Sequence, residues 1–252
     1  MADQRRAALV TGGAKRLGRI MVLELARLGF GVCIHYHRSQ AEAEATVAEI
    51  KALGGRAVAL ATDLTGETPV GRLVEDASAA IGPLDLLVNN AAIFEFDRLE
   101  GWSRDRFRRH QKLNLEAPIE LAQAFARQVP EGADAQIVNM IDQRAINPTA
   151  SYLSYAVSKS GLWGATQVLA RDLAPETRVN AVGPGFLLEP PDGSEPSFAK
   201  RARQVPLGRP VDPDDLARAL RFLIETRSVT GQMICLDGGM HMGWLSPGMG
   251  EP

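Results

Sequence analysis

Tyr155 and Lys159 stand four residues apart in SYLSYAVSKSGLWGATQVLARDLA (151–174), a helix-patterned segment, and that spacing puts both on one helix face. A free phenol titrates near 10 and shuttles protons poorly at neutral pH. An ammonium about 4 Å from the phenolate supplies roughly 4 kcal/mol at an effective dielectric near 20, enough to bring the phenol into the range of general acid–base work. The spacing alone is common by chance, so other parts of the chain have to carry the reading. Near the N-terminus, TGGAKRLG (11–18) lies between a β-rich apolar run and a helical one. Glycines such as Gly12 and Gly18 let the backbone turn tightly and approach a pyrophosphate, and the helix that follows offers free N–H groups and a partial positive charge.

The next informative stretch is HYHRS (35–39), at the end of the second apolar run. A dinucleotide site that favours NAD usually places an acid about 20 residues past the glycine turn, on the ribose 2′-hydroxyl. Here the residues are His37, Arg38 and Ser39. A guanidinium and a hydroxyl suit a 2′-phosphate, which an acid would repel, and NADPH is therefore the expected cofactor. The bland alternative is an ordinary solvated arginine at a strand end. His35 and His37 lie at strand spacing but have no third ligand nearby, so no metal is expected.

These side chains need elements to position them. Apolar, β-rich runs recur at 7–12, 31–36, 57–63, 84–92, 135–142, 177–185 and 232–239. Most are continuously apolar, as strands buried on both faces should be. Between them lie helical patterns. Leu17, Ile20, Met21, Leu25 and Leu28 share a face and Gly29 follows as a C-cap, while 40–53 is Ala/Glu-rich and closes on Gly54-Gly55. This alternation predicts a parallel α/β sheet with right-handed crossovers and helices on both faces. Residues 184–213 hold seven of the fifteen prolines. Too few residues follow for a second core, so the chain reads as a single domain, 1–252, with a substrate-loop insertion at about 184–213.

Composition narrows the function classes. The 252 residues are 45% hydrophobic and 23% charged, with 28 Lys+Arg against 30 Asp+Glu for a formal charge of −2. That balance gives no electrostatic case for nucleic acid or a membrane surface. The basic run SRDRFRRHQK (103–112) reads as a solvated helix face or a subunit contact rather than a nucleic-acid site. No signal-peptide core and no apolar stretch of about 18 residues occurs, and Cys33 and Cys235 form no redox or metal motif. The expectation is a cytoplasmic protein acting on a small molecule.

The motifs T-G-x-x-x-x-x-G (11–18), NNAA (89–92), Asn114, Tyr155/Lys159 and Pro184-Gly185 occur in this order in one chain. Together they resemble the short-chain dehydrogenase/reductase family over residues 6–240. The resemblance implies a single-domain Rossmann fold with a doubly wound seven-stranded sheet, nicotinamide-linked hydride transfer and a homotetramer. It makes Tyr155 the acid–base residue, has Lys159 bind the nicotinamide ribose and lower the tyrosine pKa, and gives Asn114 a proton-relay water. Asn90 and Ala91 would floor the cofactor site, with Gly12, Leu17 and Gly18 at the phosphates. Asp63 and Leu64 would meet the adenine, and Pro184 and Gly185 would lie at the nicotinamide end. Trp244, in the Met- and Gly-rich tail, would be a subunit contact.

Two departures refine the resemblance. Arg16 replaces the middle glycine of the usual turn, and Asp142, in NMID, replaces the serine thirteen residues before the tyrosine. With HYHRS and Phe94, these look like pteridine reductase and the related bacterial dihydromonapterin reductase. There the arginine reaches toward the cofactor phosphates and the pterin, the aromatic ring sandwiches the pterin against the nicotinamide, and the aspartate works with the tyrosine. Phe186 joins the substrate side. The chemistry agrees: a serine suffices to hydrogen-bond a carbonyl oxygen, whereas a pterin C=N bond needs a proton at nitrogen, which a carboxylic acid can deliver. Ala92 departs from the serine of the better-known pteridine reductases. Two other readings stay open, a carbonyl (3-oxoacyl or ketone) reductase and a non-catalytic NADP(H)-binding regulator.

Overall fold

In the computed structural model, residues 6–66, 68–189 and 198–243 are described. Seven strands, β1 (Ala7–Val10), β2 (Gly31–Tyr36), β3 (Ala57–Ala61), β4 (Leu86–Asn89), β5 (Ala135–Met140), β6 (Thr177–Pro184) and β7 (Met233–Leu236), form one sheet in the order β3-β2-β1-β4-β5-β6-β7. Every pairing is parallel, with Val10 opposite Ile34 on one side and Val88 on the other. Strand order reverses direction between β1 and β4, which opens a crevice at the carboxyl ends of those strands.

The helices are α1 (Arg16–Arg27), α2 (Gln40–Ala52), α3 (Arg72–Ile81), α4 (Arg104–Gln111), α5 (Ala117–Gln128), α6 (Leu153–Asp172), α7 (Phe198–Ala202) and α8 (Pro213–Glu225). Alternation along β1 sorts its side chains to two cores. Ala8 and Val10 pack with Met21, Val22 and Leu25 of α1 and Leu216, Leu220 and Leu223 of α8. Ala7 and Leu9 pack with Leu73 and Val74 of α3 and Leu121 and Phe125 of α5. A sheet covered on both faces this way removes nearly all its apolar area from water, which explains the unbroken apolar runs.

Chain punctuation follows local chemistry. Gly29, at φ 83°, ends α1 in the left-handed conformation that glycine adopts without strain. Asp212 accepts from the Asp214 N–H and Pro213 opens α8. Several strands end before their apolar runs do, β1 at Val10 and β4 at Asn89, and the leftover residues become the loops of the crevice. The 184–213 insertion is not wholly irregular: β6 reaches Pro184, α7 lies within it and α8 starts at its last residue. Its residues 190–197, and Trp244 in the tail, lie outside the described residues. No helix among the described residues is long and apolar enough to cross a membrane.

Candidate active site

The crevice contains a cavity of about 1070 Å³, at the upper end of the ~300–1,000 Å³ typical of ligand sites. One half is built on the glycine turn. Gly12 has φ 61°, and its N–H donates to His35 Nδ1 at 3.1 Å, while His35 Nε2 lies 3.0 Å from the Thr62 carbonyl. Those two bonds place the proton on Nε2, and burial lowers the His35 pKa, keeping the ring neutral. His35 thus braces the turn, a role that strand spacing alone does not reveal. Asn90 Nδ2 donates to the Thr11 and Gly12 carbonyls, and the Asn90 and Ala91 N–H groups both reach Thr11 Oγ1. At Gly18 a Cβ would stand 2.1 Å from the Gly12 carbonyl oxygen, so only glycine fits.

No side chain caps α1 and its first turn holds no acid. Its first N–H groups therefore face the cavity as an unneutralised positive end, the arrangement a cofactor pyrophosphate requires. His37, Arg38 and Ser39 line the far lip with Asp63 and Leu64. Asp63 Oδ2 lies 3.9 Å from His37 Nε2, and hydrogen bonds from Thr65 hold its carboxyl below the usual range. The residues present fit a phosphorylated dinucleotide.

Arg16 has φ 51°, the left-handed region where the family's usual glycine is unstrained. It lines the cavity, and its guanidinium donates to the Leu188 and Glu189 carbonyls, at 3.1 and 3.0 Å, tying the glycine turn to the insertion loop.

The other half gathers around Tyr155. Asp97, buried in the loop after β4, accepts from the Ser154 N–H and hydroxyl and so caps α6. That anchors the first turn of α6, where Tyr155 sits with its Oη donating to Asp142 Oδ2 at 3.1 Å. Asp142 also accepts from the Arg144 N–H at 2.8 Å and pairs with the Arg144 guanidinium at 3.3 Å. Lys159 Nζ donates to the Met140 carbonyl at 2.7 Å.

Burial and the Asp142 charge set the electrostatics of Tyr155 and Lys159. Burial and the adjacent Asp142 carboxylate hold the Tyr155 phenol well above its ordinary value, with only the Arg144 guanidinium pulling the other way. Burial brings Lys159 down to about 8, against the attraction of Asp142. Lys159 directs its ammonium to the Met140 carbonyl and lies 5.8 Å from the centre of the Tyr155 ring, while the Asp142 carboxylate is in direct contact with the phenol.

Asn114 lies in a π-helical turn (Lys112–Glu116) between α4 and α5. Its Nδ2 donates to the Ile93 carbonyl and Ser158 Oγ, and its Oδ1 accepts from the Ile93 N–H. Both side-chain donors are spent on pinning the β4 loop to α6, and Oδ1 keeps a second lone pair. It does not line the cavity, whereas the other expected residues do.

Phe94 is 46% exposed and lines the cavity, but one face is covered: Tyr152 stacks on it at 4.2 Å and 10°. Its ring meets Tyr155 edgewise at 4.7 Å, and the Arg144 guanidinium lies 5.5 Å from its centroid. At most one face can serve as a platform for a flat ligand. Phe186 lines the cavity yet is mainly a packing residue, clustered with Phe198, Ala202 and Val205. Pro184 and Gly185 close the floor, where a Cβ on Gly185 would stand 2.7 Å from the Asp237 Cβ.

Some residues of the site carry little signal in the sequence. Tyr152 stands just before α6 at φ 63°, outside the helical pattern, and nothing local singles it out, nor Gln143, Arg144 or Asp97. The expected absence of a metal motif needs one qualification. Cys235, Asp237 and His241 bring potential ligand atoms within 4.8 Å of one another. The Asp237 carboxylate there already accepts from the Gly239 and His241 N–H groups.

Comparison with known proteins agrees with this geometry. A family described as enoyl-(acyl carrier protein) reductase matches residues 12–241. An uncharacterized oxidoreductase of Methylorubrum extorquens is 34% identical, over 94% of this chain and 98% of its own. A 3-oxoacyl-[acyl-carrier-protein] reductase, FabG, of Staphylococcus epidermidis is 30% identical over 94% and 99%. Among solved structures, FolM alternative dihydrofolate reductase 1 from Brucella canis, complexed with NADP, superposes with a TM-score of 0.90. It is 42% identical and covers 98% of each chain.

Proposed function

The chain belongs to the short-chain dehydrogenase/reductase family and is an NADP-dependent oxidoreductase, and from that premise we propose that it reduces a pteridine, taking a dihydropterin to the tetrahydro state. The observation that carries this reading is the carboxylate of Asp142 at 3.1 Å from Tyr155 Oη, in place of the hydroxyl that suffices for carbonyl reduction. The similarity to a FolM alternative dihydrofolate reductase supports it.

Bound NADPH supplies a hydride to the ring carbon. The protein's own groups do the rest. The open N–H groups of α1 hold the pyrophosphate, and His37, Arg38 and Ser39 take the 2′-phosphate. Lys159, about one helical turn after Tyr155 on α6 and buried, offers its ammonium to the nicotinamide ribose. The ring nitrogen needs one proton, which comes from the Tyr155–Asp142 pair and is restored from solvent. Because the phenol is held above its ordinary value, Tyr155 stays protonated across the working pH range and is always loaded as a donor. Arg144 holds Asp142 by two contacts and so fixes the orientation of the pair.

The test is NADPH oxidation with dihydrobiopterin, dihydromonapterin and a panel of ketones, repeated with NADH. Rapid pterin-dependent oxidation preferring NADPH is expected. Turnover of a 3-oxoacyl or other ketone with silence on pterins would replace this reading by carbonyl reduction, to which the FabG match belongs. Tight NADPH binding with no turnover would favour a regulator.

A further inference from the structure

Gln143 is the polar residue of the cleft that proton delivery leaves unused. It follows Asp142 in the single 3₁₀ turn after β5, lines the cavity and is 1% exposed. Its backbone carbonyl is satisfied, accepting from the Ile146 and Asn147 N–H groups. Its carboxamide is not: neither Oε1 nor Nε2 has a hydrogen-bond partner among the described residues. Asp142 is engaged with Tyr155 and Arg144, and Arg144 Nε beside it is likewise a buried donor with no partner among the described residues. A buried amide left with both ends unpaired is destabilising, and native proteins retain such groups chiefly where a ligand or a function completes them.

A carboxamide presents an acceptor and a donor side by side. Its complement is an edge with an N–H beside a C=O or a ring nitrogen, as in a lactam or amidine. A simple ketone or quinone has acceptors only. We propose that Gln143 determines substrate specificity in this cleft by pairing its carboxamide with the donor–acceptor edge of a flat heterocycle. This deepens the pteridine reading and rests on it. Both polar atoms are closed off from solvent, so pairing needs a turn about the side-chain torsions, three of which are available to a glutamine. Phe94, half-exposed in the same cavity, is an aromatic neighbour suited to the flat ring that such an edge belongs to.

The experiment compares wild type, Q143L and Q143E with saturating NADPH, on dihydrobiopterin and on a quinone lacking any N–H edge. A lost paired contact is expected to raise KM for dihydrobiopterin about tenfold or more while kcat changes less than about threefold, and to leave quinone turnover unaffected. Q143L in the absence of ligand is expected to unfold at a temperature equal to or above wild type, since it removes an unpaired buried amide; a merely structural glutamine would give the reverse. Should Q143L fail to fold, the near-isosteric Q143E, which loses the donor, carries the same KM comparison. An unchanged KM for dihydrobiopterin, or an equal rise on the quinone, overturns the inference while the pteridine reading stands. A wild type that does not turn over dihydropterins overturns that reading and this inference with it.

Discussion

A phenol hydrogen-bonded to a carboxylate behaves differently from one beside an ammonium, and the side chains around Tyr155 follow the first pattern. Asp142→Ser is expected to cost about 10²-fold or more in kcat/KM on dihydropterins, the usual worth of a positioned proton donor, and much less on quinones. Equal losses on all substrates, in steady-state assays, would contradict proton delivery by Asp142. The same contact sets the tyrosine titration. Removing the negative charge in Asp142→Asn should move Tyr155 to lower pH, and removing the opposing guanidinium in Arg144→Leu should move it higher, as followed by NMR of ring-labelled tyrosine. Lys159 has the opposite sign of shift, and linkage fixes its consequence. Between about 8 and its ordinary 10.5 the unfolded chain holds a proton that the folded chain has released, so stability from this group rises with pH across that window. Denaturant midpoints should therefore shift in favour of the wild type over Lys159→Met as pH climbs through it, and a pH-independent difference would refute the buried-ammonium account. Tyr155 and Lys159 were readable from their spacing together with the other motifs, and Asp142 from the family resemblance, but the direction of the tyrosine shift was not, because it depends on which charges lie closest in space.

The elements around the cleft show where sequence pattern is sufficient and where it is not. The glycine turn is legible because Gly12 needs a left-handed φ and Gly18 has no room for a Cβ, and both demands reduce to one residue type. Strand ends are less legible: apolar runs continue past Val10 and Asn89 into loop residues such as Gly12, Ala91 and Ala92 that line the cleft. The cap on α6 is invisible to local reading, since Asp97 supplies it from 57 residues away. Arg16 is the informative exception. It sits where a glycine would be unstrained, and strain of this kind costs on the order of 1–3 kcal/mol. Its two bonds to the Leu188 and Glu189 carbonyls are what the strained position holds in place. Arg16→Gly is expected to leave the unfolding midpoint equal or higher while amide hydrogen exchange quickens over 186–189. Unchanged exchange there would show that the guanidinium does not hold the loop.

At the scale of the whole molecule, the alternation of apolar runs and helical patterns specified a parallel sheet clothed on both faces, and β1 displays the reason. Its four residues divide evenly between two cores, which only a strand with helices above and below can do. Parallel pairing also sends every strand toward the same edge, so the groups that act, from Gly12 after β1 to Asp142 after β5 and Gly185 after β6, converge there from distant parts of the chain. The opposite edge carries connections that return from helix to strand, such as Gly54-Gly55, Gly82-Pro83 and Glu131-Gly132. That edge is a natural handle. A cysteine introduced in place of Glu131 could be alkylated onto a bead or an electrode, because burial raises the thiols of Cys33 to about 12 and Cys235 to about 11 and leaves both slow to react. The immobilised catalyst is expected to keep the kcat and KM of the enzyme in solution, with its mouth facing outward by construction.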